Sequence, residues 1–271
     1  MQGNTVVITG ATSGIGEVTA IHLAEQGARI VFVARDARRA EATRSRLAGG
    51  GHSYHLADLS TLAEMKRVGA EIAAAEPRID VLMNNAGALF ASRKLTADGL
   101  ESTFAVNHMA YFVLTALLRE RVVPGGRIVN TASAAHWGAS LNFDDLQSAR
   151  GFSAYGVYQR SKLCNILFTR ALAKRLENGV TANCFHPGFV ATRFGDSAGG
   201  ATAAAFKVAK LTAISPEDGA KTMLHLAASP EVANVTGGYF NRCKIETPSR
   251  EAQDDAAAER LWATSAKIAG L

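Results

Sequence analysis

Seven short runs of apolar, largely β-branched residues recur along the chain, near 5–9, 29–34, 53–57, 79–83, 126–132, 180–185 and 236–240, separated by longer stretches of helical period. This alternation constrains the fold more than any other feature, because it calls for strand–helix–strand units and hence a parallel sheet. The runs are nearly continuous in apolar residues, as in Val31-Phe32-Val33-Ala34 and Val81-Leu82-Met83. A sheet with one wet face would alternate apolar and polar residues, whereas a sheet covered by helices on both faces has no reason to. The expectation is an α/β fold: a single doubly wound domain, 1–271, around a central parallel sheet of seven strands. No internal repeat or low-complexity linker marks a second unit, and 271 residues suit one α/β domain.

The first run leads directly into Thr9-Gly10-Ala11-Thr12-Ser13-Gly14-Ile15-Gly16, after which Ile15, Ile21, Leu23 and Ala24 mark the apolar face of a helix. Glycines at such a junction permit a tight turn, let main-chain amides approach a pyrophosphate and place it at the positive end of the helix. The spacing is G-x-x-x-G-x-G rather than the G-x-G-x-x-G of the usual dinucleotide fingerprint, so position carries the assignment against a plain turn. The end of the second strand separates two dinucleotides. An acidic residue there would bond the ribose hydroxyls of NAD, and an arginine would receive the 2′-phosphate of NADP. Here the acid position holds Ala34 and the next residue is Arg35, whose forked guanidinium suits a phosphate. Asp36 reads as the N-cap of the following helix. NADP(H) is therefore expected over NAD(H).

Charge and cysteine content do not suggest another class of function. The formal net charge is +5 but the basic residues are dispersed; the nearest thing to a stripe, Arg35, Arg38 and Arg39 with Arg44 and Arg46, reads as a solvated helix face. A nucleic-acid footprint would be more clustered. Cys164, Cys184 and Cys243 have no CxxC spacing, and His52-x-x-His55 lacks a third ligand, so neither a disulfide framework nor a metal site is expected. No run approaches the roughly 18 apolar residues of a membrane span, and a strand-like run from Thr5 leaves no room for a secretory leader; the expectation is a cytoplasmic protein. The segment 193–215, rich in Gly, Ala and Ser, reads either as a surface loop with a short helix or as a lid over a ligand.

Reduction of a carbonyl by hydride needs a proton donor beside the developing alkoxide, and the reverse reaction needs a base at the same place. Tyr158-Gln159-Arg160-Ser161-Lys162 puts a tyrosine and a lysine at i and i+4, on one face of a helix. Of the five tyrosines (54, 111, 155, 158 and 239), only Tyr158 has a lysine four residues on. An ammonium there would favour the phenolate, and bringing a tyrosine from about 10 to neutrality takes about 4 kcal/mol. Taken alone, the two residues are an ordinary surface pair. Their companions change that: Asn84-Asn85-Ala86-Gly87 after the fourth strand, Asn107, Ser133 after the fifth strand, and Pro187-Gly188 with Thr192 after the sixth. Each stands at the carboxyl end of a strand or in the next helix, where open α/β sheets bind ligands.

In this combination the chain resembles the short-chain dehydrogenase/reductase family of classical type, over essentially its whole length, out to Gly238-Tyr239-Phe240 and Arg260-Leu261-Trp262. The resemblance implies a Rossmann domain and an oxidoreductase in which Tyr158 is the acid/base and Lys162 lowers its pKa and holds the nicotinamide ribose. It further implies that Ser133 orients the substrate oxygen and that Asn107 anchors a proton-relay water. Cofactor contacts are implied for Gly10, Ser13, Gly14, Ile15 and Gly16, for Arg35, for Asp58 and Leu59, for Asn85, Ala86 and Gly87, and for Pro187, Gly188, Val190 and Thr192. Within the family the chain looks most like the retinol dehydrogenase-like branch. That likeness rests on Ala135-His136-Trp137-Gly138, Phe143-Asp144-Asp145-Leu146, Ser161-Lys162-Leu163-Cys164-Asn165 and His186-Pro187-Gly188, and on the 25 positions from Ser133 to Tyr158.

The substrate implied is a bulky apolar aldehyde, ketone or secondary alcohol, with His136, Trp137 and Phe194 as candidate lining. Each candidate has an alternative: His136 as a loop histidine bonded to main chain, Trp137 and Phe143 as anchors of the insertion, Ser133 as a strand-end hydroxyl bonding its own backbone. Two other functions compete. A non-catalytic dinucleotide sensor that binds a protein partner would be expected to lack Tyr158, Lys162 or Ser133; a nucleotide-sugar epimerase or dehydratase would be expected to carry more than the roughly 80 residues that follow Pro187-Gly188. Monomer and homo-oligomer both remain open, since the 133–158 insertion adjoins the helix that pairs subunits in the family.

Overall fold

The computed structural model describes residues 1–190 and 213–271. One sheet holds β1 (Thr5–Thr9), β2 (Arg29–Ala34), β3 (Ser53–Leu56), β4 (Ile79–Asn84), β5 (Val122–Thr131), β6 (Thr181–His186), β7 (Tyr239–Asn241) and β8 (Lys244–Ile245), in the order β3-β2-β1-β4-β5-β6-β7-β8. Among the described residues the α-helices of eight residues or more are α1 (Gly14–Glu25), α2 (Ala37–Arg44), α3 (Leu62–Ala75), α4 (Ala110–Leu118), α5 (Ala154–Ala173), α6 (Pro216–Ala228) and α7 (Asp255–Ala269). None of them is long and apolar enough to cross a membrane.

Alternate residues of each strand face opposite helix layers. Val7, Val31, Val33, Leu82 and Ile128 join the core beneath α3, α4, α5 and α7, while Val6, Ile8, Ile30, Phe32, Val81 and Met83 join the core beneath α1 and α6. Both faces of the sheet are dry, which is why the strands are apolar throughout.

β1 through β7 pair in parallel, as expected, but the sheet has an eighth strand, and β8 runs antiparallel to β7. Its turn explains why the sequence conceals it. Arg242 and Cys243 have φ of 48° and 62°, a conformation for which tight hairpins usually use Asn or Gly. No turn residue announces the hairpin, and β8 is only two residues long.

The strand order reverses at β1, which has β2 on one side and β4 on the other. Connections leave in opposite directions there and open a crevice at the carboxyl ends of the strands. The glycine turn, the loop after β4, the end of β5 and the start of α5 all meet at this end of the sheet.

Candidate active site

Helix starts normally have their orphan amides met by a side chain. Asp36, Thr61, Ser153, Ser215 and Asp254 do this for α2, α3, α5, α6 and α7. Ser13 occupies the same position before α1 in extended conformation, yet its side chain makes no cap bond. Among the described helices that start from a loop, α1 alone presents its first-turn amides without a side-chain cap, and it does so in a turn where Gly10 and Gly14 have φ of 72° and 57°. Free amides and the helix dipole make this an anion site, so the residues present fit the diphosphate of a dinucleotide.

The turn is held from the neighbouring strand. The Thr9 hydroxyl accepts the amides of Asn85 and Ala86 at 2.9 and 3.0 Å, and the Asn85 amide donates to the carbonyls of Thr9 and Gly10 at 3.1 and 3.2 Å. A Cβ on Gly16 would stand 2.3 Å from the Gly10 carbonyl oxygen, so only glycine lets α1 pack this closely on the turn. These contacts give Gly10, Gly16, Asn85 and Ala86 a common task, fixing the shape of the turn.

Tyr158 and Lys162 lie in the first half of α5 and are both buried. The Tyr158 ring packs with Leu89, Ala135 and Ala154, and the Ser133 side chain lies close enough to favour its phenolate. The Lys162 ammonium lies 5.5 Å from the Tyr158 ring centre and donates to the Thr131 carbonyl at 3.1 Å. Gly87 borders it: a Cβ there would be 3.7 Å from the ammonium and 3.3 Å from Asn107 Oδ1. The strand ends, the loop after β4 and α5 thus converge on one point.

The burial of both groups works against the implied pull of Lys162 on the Tyr158 pKa. Desolvation raises the phenol above its ordinary value, and the Ser133 side chain works against it. Desolvation also pushes Lys162 down to about 7. A buried site disfavours either charge, so Tyr158 stays protonated at neutral pH.

Asn107 lies in a five-residue π-helical turn, Ala105–Met109, immediately before α4; such turns recur at functional sites. Its Oδ1 accepts the Ala88 amide at 2.7 Å, and its Nδ2 donates to the Ala88 carbonyl and to Ser161 Oγ, both at 3.0 Å. Both amide hydrogens are thereby spent, and the Asn107 side chain clamps the loop after β4 to α5.

For His136 the structure shows the alternative of a histidine bonded to main chain. The candidate for substrate contact is fully buried, and its ring nitrogens meet the Ser133 carbonyl and the Ser249 amide. Leu59 turns its side chain into the core, leaving only its main chain for a ligand. Ile15 also packs in the core, and Val190, bridged to Ile214, packs against it. Arg35 and Asp58 are exposed at the ends of β2 and β3. Trp137 is half exposed, its carbonyl accepting from Gln159 Nε2 at 3.2 Å. Pro187 and Gly188 follow β6, with Gly188 at φ 89°. Thr192 and Phe194 lie outside the described residues, as does the 193–215 segment apart from its last three positions. His52 bonds Ile30 and Ala48 while His55 bonds Glu71, so the two rings are engaged separately.

Sequence reasoning missed the polar residues behind the site. Thr131 accepts Lys162 and Asn165 on its carbonyl and donates its hydroxyl to Asn85. Ser161 donates to the Tyr158 carbonyl. Arg39, taken for part of a solvated stripe, donates to the Thr12 carbonyl at 2.7 Å and so reaches the phosphate turn from α2. The one available signal was the appearance of Asn84, Asn130 and Thr131 at the ends of otherwise apolar strands.

Comparison with known proteins agrees with this geometry. The family model described as short chain dehydrogenase matches residues 4–201. Retinol dehydrogenase 13 of Homo sapiens is 38% identical over 284 residues, spanning 100% of this chain and 86% of its own. A protein of Streptomyces sp. (strain C5) that carries the name of a daunorubicin C-13 ketoreductase is 39% identical over 274 residues, spanning 100% of this chain and 94% of its own. Among solved structures, an uncharacterized protein from Mycobacterium Paratuberculosis aligns with a TM-score of 0.82 at 32% identity, covering 99% of this chain and 94% of that one. A short chain dehydrogenase from Burkholderia cenocepacia J2315 in complex with NADP aligns with a TM-score of 0.71 at 27% identity, covering 93% and 99%. The chain belongs to the short-chain dehydrogenase/reductase family, in its retinol dehydrogenase-like branch, and is an oxidoreductase of Rossmann fold.

Proposed function

We propose that the protein is an NADP(H)-dependent oxidoreductase that reduces a bulky apolar aldehyde or ketone, or oxidises the corresponding secondary alcohol. The observation that carries this reading is the buried Tyr158 phenol beside Ser133, with Lys162 one helical turn on and the uncapped α1 terminus in the neighbouring turn. The bound dinucleotide supplies the hydride. Tyr158 gives its proton to the carbonyl oxygen as charge develops there, and Ser133 holds that oxygen within reach of the phenol. A phenol that stays protonated at neutral pH is in the state a proton donor needs. Lys162 holds the nicotinamide ribose and compensates the phenolate left after transfer.

Apolar surroundings select the substrate. Leu89, Ala135 and Ala154 pack on the Tyr158 ring, and Trp137 after β5 and Tyr155 in the first turn of α5 are large half-exposed rings. The NADP preference rests on Ala34 and Arg35 at the end of β2 and is supported by the NADP-bound relative. Tyr158→Phe tests the proton-transfer assignment: NADPH titration stays within twofold of the parent, while steady-state reduction of an apolar aldehyde falls on the order of 100-fold or more. Normal turnover in the Phe variant would refute it.

A further inference from the structure

We infer that His136 is a positioning residue for Ser133, acting as a strut between the active-site turn and the segment that joins β8 to α7. This rests on Ser133 orienting the substrate oxygen. The Ser249 amide can only donate, and it points at His136 Nε2 from 3.1 Å. The ring proton must therefore reside on Nδ1, which lies 2.7 Å from the Ser133 carbonyl and donates to it. Ser249 is itself buried and caps the following turn through its hydroxyl, which accepts the Ala252 amide at 3.4 Å. The ring has no freedom to turn: it is fully buried and packs edge-on against Tyr239 at 5.1 Å and obliquely on Trp137 at 5.3 Å. Burial keeps it neutral against the pull of Glu246 and Glu251.

For Ser133 the ring adds a second bond to the one its carbonyl already accepts from the His136 main-chain amide at 3.2 Å. Ser133 follows the last residues of β5, and its hydroxyl, besides meeting Tyr158, accepts the Ala135 amide at 3.1 Å. A bond of 2.7 Å to its carbonyl from a side chain anchored at the far end of the chain sets the direction in which the hydroxyl leaves the strand. A misplacement of about 1 Å in a reacting group costs on the order of 100-fold in rate, so a strut at this point acts on chemistry rather than on binding.

Three substitutions separate positioning from packing. Asn places an amide donor where Nδ1 stands and keeps the Ser133 contact; Gln places an acceptor where Nε2 stands and keeps the Ser249 contact; Ala keeps neither. Single-turnover reduction of an apolar aldehyde at saturating NADPH is expected to fall about tenfold or more in His136→Gln and His136→Ala but within threefold in His136→Asn, with NADPH affinity within twofold throughout. In a Ser133→Ala background, His136→Gln should cause no further loss. Equal losses in the Asn and Gln variants, a larger loss in Asn, no loss in Gln, or losses that follow the unfolding temperature would overturn the proposal. Should the Ala variant not fold, the comparison of Asn with Gln decides alone. The Ser133→Ala parent also separates the two readings: normal turnover there removes the role given to Ser133, whereas a dead parent beside a normal Gln variant removes only the strut.

Discussion

Lys162→Met exposes a conflict between activity and stability that the site predicts. Lys162 is only 3% exposed, and burial pushes its pKa from 10.5 down to about 7. That difference corresponds to about 5 kcal/mol of penalty for holding the ammonium in the folded state. Its pH dependence has a definite sign. Below pH 7 the lysine is protonated in both folded and unfolded chains, and the whole penalty applies. Between pH 7 and 10.5 only the unfolded chain binds the proton, so stability rises with pH; above 10.5 the penalty is gone. Methionine has similar length and no charge, and it loses only the bond to the Thr131 carbonyl, about 1 kcal/mol; Asn165 still satisfies that carbonyl. The variant is expected to be more stable by about 3–4 kcal/mol at pH 6.5, which for a chain of this size is on the order of 10 °C in Tm, with the gain vanishing near pH 10. Turnover should be lost. Thermal unfolding of the cofactor-free protein at the two pH values measures this. A variant no more stable than the parent at pH 6.5, or a gain indifferent to pH, would show that the ammonium is not desolvated as its burial indicates.

Three further outcomes follow from the same structure. Gly16→Ala puts a Cβ 2.3 Å from the Gly10 carbonyl oxygen, so dinucleotide affinity should fall at least tenfold in fluorescence titration, and unchanged affinity would contradict the close packing of α1 on its turn. Arg35→Ala should weaken NADPH by an order of magnitude more than NADH, as expected for a lost charge-assisted phosphate contact; equal losses would remove the phosphate assignment. Light scattering should report a monomer, because α5 is buried within its own chain from Ser161 to Thr169 and keeps no apolar face for a second copy. A stable dimer would show that another surface does the pairing.

The parallel strands and the glycine turn could be read from the sequence because each follows from a local rule. Continuous β-branched runs mean a sheet with two dry faces, and Gly10, Gly14 and Gly16 between a strand and a helix mean a main chain that must come close to something. Tyr158, Lys162 and Ser133 were legible only as a set, since each alone has an ordinary explanation. Nothing local could reveal His136, whose task depends on Ser249, 113 positions away. The short β8 escaped because Arg242 and Cys243 make its turn without turn residues. Leu59 was placed by its neighbour Asp58; along a strand end adjacent side chains point to opposite sides, and the core claimed Leu59.

Behind Lys162 the interior is unusually polar for a doubly wound sheet, and the arrangement explains how the site keeps its shape. Asn84 Nδ2 donates to Thr115 Oγ1 and Asn130 Oδ1 at 2.9 and 2.8 Å; Asn130 Nδ2 donates to Thr169 Oγ1, which donates to the Asn165 carbonyl. Asn165 Nδ2 then meets the same Thr131 carbonyl that holds Lys162. The chain of bonds crosses from β4 to β5 and on to α5, all of it buried. Apolar residues of like volume would pack these positions with less desolvation, but they would tolerate a slide of α5 along the sheet, because dispersion contacts have no direction. Hydrogen bonds between fully buried partners do not tolerate it, since a slide of about 1 Å would leave several donors unmet at about 1–3 kcal/mol each. The network therefore fixes the register of α5, and with it the placement of Tyr158 and Lys162 against Ser133 and the loop after β4.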